Sequence, residues 1–173
     1  MAFLKNYVMY ACNEGGHFSQ MMALKSLFGK YDTVIVTDNE RVTKDFPGFE
    51  DIKALEFAMG FADKRKDLVK SEKTLTRWSY VSGYLKLFAQ CLSLWLKYRP
   101  KVIISTGSNI AVAMFMWGHL FGSKIIYIES RAKVRTKNVT GKICGKWCDK
   151  IIVQWPEMVD VYGAPAEYHG ILV

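Results

Sequence analysis

The sequence has little acidic charge, few prolines and few cysteines, and it lacks the motifs that identify several common ligand sites. Four cysteines and four prolines occur among 173 residues. The cysteines show no paired CxxC spacing, so we predict neither a structural zinc site nor any other bound metal. Neither GxxxxGK[ST] nor GxGxxG occurs, which excludes a Walker P-loop and the dinucleotide fingerprint.

The N-terminus also lacks a secretory signal and a spanning segment, because the apolar run within residues 1–10 is short and interrupted. We therefore expect a cytoplasmic protein whose thiols are reduced. Half of the residues are apolar, which suffices for a sizeable core, and the length suits one domain. We predict that residues 1–173 form that single domain.

Basic residues outnumber acidic residues by 24 to 16, which gives a formal net charge of +8. This balance favours an anionic partner, namely nucleic acid, a phosphorylated substrate or an acidic membrane surface. A well-solvated basic surface is the alternative. No nucleic-acid motif occurs, so we predict no nucleic-acid partner. The basic residues form two clusters, which are Lys64, Arg65, Lys66, Lys70, Lys73 and Arg77, and Arg131, Lys133, Arg135, Lys137, Lys142, Lys146 and Lys150.

Apolar runs alternate with helical segments along the chain. Strands are predicted at 7–12, 33–37, 51–57, 101–105, 124–128, 150–154 and 167–169. Helices are predicted at 18–28, 78–98, 110–121, 140–147 and 157–162, and residues 58–75 are predicted to be a loop or a mobile segment. Because the strands are continuous apolar runs, they indicate a parallel sheet covered on both faces. We predict an α/β fold, a single doubly wound Rossmann-like domain with a mostly parallel sheet.

The segment 78–98 is apolar over most of its circumference. Its six polar residues recur every three or four positions, so on a helix they form one narrow stripe. One apolar side can pack on the sheet, and the rest requires another protein or lipid. Lysines, a glutamine and serines interrupt the run, so we predict an interfacial anchor rather than a spanning helix. The residues predicted to contact the membrane are Leu87, Phe88, Leu94 and Trp95.

Polar segments follow three predicted strands, at 13–17, 106–109 and 129–135. Since the carboxyl ends of parallel strands lie at one edge of a sheet, we expect the three segments to meet and bind a ligand there. Gly15 and Gly16 let the backbone approach a phosphate, and the next helix directs its N–H groups towards it. His17 can accept or donate a proton near neutral pH. A tight turn with a capping histidine is the structural alternative.

The other two segments also allow two interpretations. The hydroxyls and glycine of 106–109, TGSN, suit an anionic or hydroxylated ligand, but the serine or asparagine can equally be the N-cap of the next helix. Glu129 can bind sugar hydroxyls or accept a proton, or it can simply pair with Arg131. Arg131 and Arg135 suit phosphate contacts.

Several stretches of the chain resemble a known family. They are GGH after the first predicted strand, KVIISTGSNIAV in the middle, and KIIYIESRAKVRTKNVTGK and IIVQWPEM towards the end. Together they resemble the Alg-fourteen-like family of polysaccharide biosynthesis proteins, of the PssD and CpsF type, over nearly the whole chain. The most specific part is the ordered block 101–158 rather than any single motif.

The resemblance implies the N-terminal, acceptor-side half of a GT-B glycosyltransferase that is split into two chains. It implies a peripheral or monotopic protein on the cytoplasmic face of the plasma membrane, and a second, donor-binding chain that holds most of a UDP-sugar. The implied reaction is transfer of a sugar to a polyprenyl-diphosphate-linked saccharide acceptor, in capsule or exopolysaccharide synthesis. No cofactor and no metal are implied. The alternative is a non-catalytic membrane anchor that enhances a partner glycosyltransferase.

The same resemblance suggests roles for individual residues. His17 is the first candidate for the base that deprotonates the acceptor hydroxyl, and Glu129 is the second. The turn reads NEGGH where many relatives have a shorter serine-rich turn, so Glu14 is expected to alter the local electrostatics. The residues expected to bind the acceptor or its diphosphate are Gly15, Gly16, Ser19, Thr106, Gly107, Ser108, Asn109, Ser130, Arg131 and Arg135.

Overall fold

The computed structural model describes residues 4–58 and 77–173, and these contain seven strands. The strands are β1 (Lys5–Cys12), β2 (Asp32–Thr37), β3 (Ala54–Phe57), β4 (Pro100–Ser105), β5 (Lys124–Ile128), β6 (Lys150–Val153) and β7 (Ala166–Tyr168). The helices are α1 (Gly16–Met22), α2 (Arg77–Tyr98), α3 (Asn109–Phe121), α4 (Val139–Cys144) and α5 (Glu157–Tyr162), with 3-10 helices at Lys25–Lys30 and Gly145–Trp147. The loop predicted at 58–75 lies outside the described residues, apart from residue 58.

The seven strands form one sheet in the order β3-β2-β1-β4-β5-β6-β7. All six pairings are parallel, and the central strands β1 and β4 are adjacent. The predicted Rossmann-like α/β fold is therefore confirmed. The connections leave β1 and β4 towards opposite sides of the sheet, and a crevice between their carboxyl ends is where ligands bind in such sheets.

The two faces of the sheet are not equally covered. On one face, Ile103 and Ile125 are fully buried in a core that α2, α3 and α5 help to form. On the other face, α1 and the loop after β2 cover β1 and β2, where Ile35 is fully buried. Ile126 and Ile152 of β5 and β6 point to this second face and are only half-buried. The prediction that both faces are covered is thus right for β1 and β2. For β5 and β6 the cover of the second face is partial within the described residues, because Ile128 is buried there but Ile126 and Ile152 are not fully buried.

The helix predicted over 18–28 is right up to Met22 and wrong beyond it, because α1 ends there and a 3-10 helix follows. The N–H groups of Ala23 and Leu24 donate to carbonyls three residues back, at 3.2 and 2.9 Å, which closes the helix in a tight turn. The change of path places Phe28 in the core, where its ring lies 4.9 Å from that of Tyr10. Burial of Phe28 therefore overrides the helical spacing of the sequence.

Candidate functional site

The first predicted turn follows β1 and is held by the end of β2. Asp38 accepts hydrogen bonds from Asn13 Nδ2 at 2.5 Å and from the Glu14 N–H at 2.6 Å. Gly15 has a φ of +93°, a backbone conformation that favours glycine, and it begins α1 without a side-chain cap. No atom lies within 4 Å of a Cβ built on Gly16, so this part of the turn is open.

The second predicted turn follows β4 and contacts the first turn directly. The Thr106 hydroxyl donates to the His17 carbonyl oxygen at 2.9 Å. Gly107 has a φ of +103°, and a Cβ there would lie 3.1 Å from His17 Cε1 and 3.2 Å from Asn138 Nδ2. A side chain at 107 would therefore both strain the backbone and crowd the histidine.

Ser108 is the N-cap of α3, which settles one of the alternatives left open by the sequence. Its Oγ accepts from the Ala111 N–H at 3.0 Å. The side chain is thus engaged in capping, and the ligand-binding capacity of this turn lies mainly in the helix end itself. The N-terminus of a 13-residue helix carries partial positive charge that favours an anion.

The third predicted segment contacts α1, the helix that follows the first segment, through Gln20 Nε2, which donates to Ser130 Oγ at 3.1 Å. Glu129 is 0% exposed, however. Its carboxylate accepts hydrogen bonds from Tyr127, Tyr162 and the N–H groups of residues 130 and 138. The expectation that Glu129 contacts a ligand at this edge is therefore wrong, because the carboxylate is enclosed by four donors and does not face solvent.

Arg131 and Arg135 lie on the exposed loop between β5 and α4. Neither residue pairs with Glu129, whose oxygens are occupied by other donors. The backbone of this loop is fixed near Arg131, whose carbonyl accepts from Trp155 Nε1 at 2.8 Å. Both arginines are exposed, so they can meet an anion at the carboxyl edge of the sheet.

A cavity of about 560 Å³ lies at the meeting point of these turns. One part of its wall is polar or charged and consists of His17, Ser108, Asn109, Lys133, Asn138 and Thr140. The other part is apolar or aromatic and consists of Tyr84, Phe88, Val112, Val139 and Ile143. The wall therefore suits an amphipathic ligand: its polar part can bind an anionic head group, and its apolar part can contact an apolar chain.

His17 is the predicted catalytic residue that the structure places in the cavity wall. Its Nδ1 is buried without a hydrogen-bond partner among residues 4–58 and 77–173. Ser108 and Asn109 share the cavity with it, whereas Thr106 and Gly107 lie behind, where they support the histidine. Predicted site residues that do not line this cavity are Gly15, Gly16, Ser19, Glu129, Ser130, Arg131 and Arg135.

Sequence reasoning missed most of the residues that line the cavity. Asn138 and Thr140 belong to the start of α4: Asn138 Oδ1 caps the helix by accepting from the Gly141 N–H at 2.7 Å, and Thr140 Oγ1 accepts from the Ser108 N–H at 3.1 Å. An asparagine just before a helical segment is an N-cap signature, and it could have drawn attention to this position. Lys133 was visible in the sequence only as a member of a basic cluster.

Two of the four residues predicted to contact the membrane belong to the core instead. Leu87 is 1% exposed and Trp95 is 0% exposed. The Trp95 ring stacks on Phe121 with centroids 4.4 Å apart, and its Nε1 donates to Ser123 Oγ at 3.0 Å. The prediction that Leu87 and Trp95 contact lipid is wrong, because this stripe of α2 packs on α3 and the sheet. Phe88 and Leu94 are partly buried against the same core.

A different stripe of α2 is apolar and exposed. We call it the outward face, and it consists of Tyr80, Val81, Tyr84 and Leu85, which are 38%, 44%, 42% and 67% exposed. Together with Phe88 these residues line a second, wholly apolar cavity of about 790 Å³. Tyr84 and Phe88 line both cavities, so the apolar surface continues into the site. No helix within residues 4–58 and 77–173 is long and apolar enough to span a membrane.

The sequence matches a family described as "Oligosaccharide biosynthesis protein Alg14 like" over residues 8–172. Proteins named "UDP-N-acetylglucosamine transferase subunit ALG14" are similar to it. That of Yarrowia lipolytica is 39% identical over 92 residues, covering 50% of this chain and 42% of that protein. That of Saccharomyces cerevisiae is 30% identical over 175 residues, covering 92% of this chain and 73% of that protein. The chain thus spans less than half of the first of these relatives and about three quarters of the second.

Solved structures show the same fold at low sequence identity. Acinetobacter baumannii MurG superposes with a TM-score of 0.63 and 11% identity, covering 88% of this chain and 43% of that protein. S. aureus MnaA in complex with UDP superposes with a TM-score of 0.67 and 12% identity, covering 97% of this chain and 44% of that protein. The chain therefore corresponds to less than half of each of these larger proteins.

Proposed function

The chain belongs to the Alg14-like family of oligosaccharide biosynthesis proteins, and from that premise we propose that it is the acceptor-binding subunit of a UDP-sugar-dependent glycosyltransferase. The acceptor is a saccharide linked to a polyprenyl diphosphate, and the donor is a UDP-sugar of the UDP-N-acetylglucosamine type named for the relatives. A second chain binds most of the donor. Synthesis of capsule or exopolysaccharide is the proposed context.

The two-sided cavity carries this proposal. A lipid-linked saccharide has a diphosphate between a polar sugar and a long apolar chain, and the wall offers matching surfaces in that order. Asn109 begins α3 and Lys133 supplies positive charge, so together they suit the diphosphate. Tyr84 and Phe88 lead away from that end to the outward face of α2, which offers an apolar chain a surface of apolar and aromatic side chains.

The outward face also supports the proposed attachment to the cytoplasmic side of a membrane. Val139 and Ile143 of α4 are 72% and 44% exposed and reach the same cavity as Tyr84. Two helices therefore present apolar side chains around one opening, with Arg131 and Arg135 exposed on the loop before α4. Apolar side chains bordered by cations suit a surface of acidic lipids.

The uneven covering of the sheet supports a partner chain. Ile126 and Ile152 are half-buried on the face that α1 leaves open, whereas Ile125 and Ile151 on the other face are buried. Strands in the middle of a parallel sheet are normally covered on both faces. We therefore assign the open face and the carboxyl edge to contact with the donor-binding chain. The proposed reaction needs no cofactor beyond the UDP-sugar.

His17 is proposed to act at the acceptor. In the reaction the acceptor hydroxyl oxygen bonds to the anomeric carbon of the sugar, the bond from that carbon to UDP breaks, and the hydroxyl proton passes to a base. His17 lines the cavity next to the N-terminus of α3, so one side chain can contact the diphosphate or take that proton. Glu129 is enclosed and is not proposed as the base.

Reconstitution tests the proposal. The chain and its donor-binding partner, mixed with a polyprenyl-diphosphate saccharide and UDP-N-acetylglucosamine, should release UDP and extend the acceptor, whereas neither chain should do so alone. His17→Ala should lower kcat about a hundredfold or more if His17 is the base. His119→Ala is the control, because His119 is an exposed histidine on α3 outside the cavity. Equal rates for the two variants would remove His17 from the chemistry.

A non-catalytic anchor is the second candidate function, and two observations favour it. The enclosed Glu129 is unavailable as a base, and no carboxylate in the described part of the chain pairs with His17 Nδ1 in the way that commonly orients a catalytic histidine. In that case the donor-binding chain alone transfers sugar to a soluble acceptor, and this chain only raises the rate on membranes. Measuring turnover of the partner with and without this chain distinguishes the two functions.

A further inference from the structure

Glu129 is a buried acid that the proposed chemistry does not use, and four hydrogen-bond donors surround its carboxylate. We propose that Glu129 is a positioning residue, which holds the start of α4 so that Asn138 and Thr140 support the second turn and complete the acceptor cavity. The role in acceptor binding rests on the proposed function above. The positioning itself rests on the hydrogen bonds of the folded chain.

The carboxylate of Glu129 joins its own segment, residues 127–130, to Asn138 and to Tyr162. Oε1 accepts from the Tyr127 hydroxyl at 2.9 Å and from the Ser130 N–H at 2.7 Å. Oε2 accepts from the Asn138 N–H at 3.2 Å and from the Tyr162 hydroxyl at 2.5 Å. These donors lie in β5, at both ends of the loop 130–138, and at the end of α5. A fully enclosed carboxylate is tolerated only when donors compensate for lost hydration, and here each oxygen has two.

Both tyrosines are held as donors by this arrangement. Burial, followed by the negative charge of Glu129, raises the pKa of Tyr127 well above its ordinary value. Burial and then the hydrogen bond to Glu129 raise the pKa of Tyr162 in the same direction. Both phenols therefore keep their protons over the physiological pH range and remain hydrogen-bond donors to Glu129.

The effect of Glu129 reaches the cavity through the first turn of α4. Asn138 is fixed at its N–H by Glu129, and its side chain caps α4 at the Gly141 N–H. Thr140 then accepts from the Ser108 N–H at 3.1 Å, which ties α4 to the end of the second turn. Asn138 Nδ2 also lies against Gly107. Loss of the Glu129 carboxylate would release the cavity wall on the side of Asn138 and Thr140.

Gly141 provides a second, independent sign that the arrangement is specified. A Cβ built on Gly141 would lie 1.8 Å from the Tyr162 hydroxyl oxygen and 3.2 Å from Tyr127 Cε1. Tyr162 can therefore reach Glu129 only by crossing α4 at a residue without a side chain. A glycine within a six-residue helix lowers its intrinsic stability, so its presence is explained by this crossing.

The experiment compares Glu129→Gln with wild type in the complex with the donor-binding chain. The amide keeps the shape but turns two N–H groups towards donors. We expect the KM for the lipid-linked acceptor to rise about tenfold to a hundredfold while the KM for the UDP-sugar changes less than about twofold. Backbone hydrogen exchange should accelerate at the Ser108 and Gly141 amides, whose acceptors are on Thr140 and Asn138, and not in β2.

Asp149→Asn is the matched control. Asp149 accepts from the Ile125 N–H at 2.8 Å, so it is also a carboxylate that is hydrogen-bonded to β5, but at the end of the strand opposite to the cavity. It should lower stability without changing either KM. Tyr162→Phe should act in the same direction as Glu129→Gln but more weakly, and the double variant should be no worse than Glu129→Gln alone.

The outcomes separate the two proposals. Unchanged exchange at Ser108 and Gly141 in Glu129→Gln overturns the positioning role, whatever the activity. A loss of kcat with both KM values unchanged overturns it too, because that pattern indicates a group acting in the transition state. If the wild-type complex transfers no sugar, the proposed function fails, while the exchange measurement still decides the role of Glu129.

Discussion

The two apolar stripes of α2 are alike in composition and opposite in environment. Leu87 and Trp95 face the sheet and are almost completely buried. Val81 and Leu85 of the outward face are 44% and 67% exposed, although they are as apolar as their buried neighbours. Apolar character alone therefore does not say which surface a residue meets. The difference predicts that the first stripe controls stability and the second controls association.

Trp95→Ala should have the largest effect and should act on stability. It removes a ring that is fully buried and stacked on Phe121, so the free energy of unfolding should fall by about 3–5 kcal/mol. Denaturant unfolding followed by circular dichroism measures the change. The comparison would break if Trp95→Ala left stability intact but abolished vesicle binding.

Ser123→Ala should have the next largest effect. Ser123 Oγ accepts from Trp95 Nε1 and donates to the Pro100 carbonyl at 2.6 Å, so the substitution leaves a buried indole N–H without its acceptor. We expect a loss of about 1–3 kcal/mol in the free energy of unfolding. In a Trp95→Phe background the loss should be smaller, because the donor is already absent. Equal losses in both backgrounds would show that the hydrogen bond between Trp95 and Ser123 contributes nothing to the free energy of unfolding.

Replacement of both Val81 and Leu85 by serine should act on association instead. We expect binding to vesicles that contain acidic lipids to weaken about tenfold or more, with the free energy of unfolding changed by less than about 0.5 kcal/mol. Vesicle flotation measures the first quantity. Leu120→Ser is the control, since Leu120 is 62% exposed at the far end of α3. Weakening of both variants alike would mean that the outward face has no special role.

Glu56→Gln should have the smallest effect. Glu56 lies in β3 and accepts hydrogen bonds from Lys97 and Tyr98 at the C-terminal end of α2. Burial alone would raise the pKa of Glu56, but hydrogen bonds from Lys97 and Tyr98 outweigh it and lower the pKa below its ordinary value of 4.5. A lowered pKa stabilises the fold above about pH 4.5, and this stabilisation is lost as the pH falls through the folded-state value. Wild type should therefore lose its advantage over Glu56→Gln, by less than about 1 kcal/mol, as the pH falls from neutral to below about 4.5.

Unfolding of both proteins across that pH range measures the difference. A constant difference between wild type and Glu56→Gln would contradict the assignment, since an uncharged amide cannot titrate. The same comparison tests whether Glu56 holds the C-terminal end of α2 on β3, because Lys97 Nζ lies 2.7 Å from Glu56 Oε1.

The strands and the meeting of the three turns were predictable because they depend on local pattern and on the geometry of parallel sheets. Continuous apolar runs identified the strands, and the rule that loops gather at the carboxyl edge placed His17 near Ser108, as the cavity confirms. The shortened α1 was not predictable, since it depends on the contact of Phe28 with Tyr10, which lies 18 residues away in sequence.

The membrane residues and Glu129 were misassigned for a related reason. The sequence shows that α2 is apolar around much of its girth, but the choice between Trp95 and Leu85 as the buried residue depends on how the helix is rotated over α3. Likewise, a glutamate after a strand can face the cleft or the interior. Tyr162, 33 residues further along the chain, is one of the donors that enclose it.

By itself, the sequence determined the sheet, the order of its elements and the edge at which polar turns collect, because backbone hydrogen bonding and strand direction follow from local runs of residues. The tertiary structure alone decided which apolar stripe of α2 is buried, that the Glu129 carboxylate is enclosed by donors rather than facing the cavity, and that Ile126 and Ile152 are only half-buried among the described residues. Those outcomes depend on side chains distant in sequence competing for the same space and the same hydrogen bonds, and no local pattern records that competition.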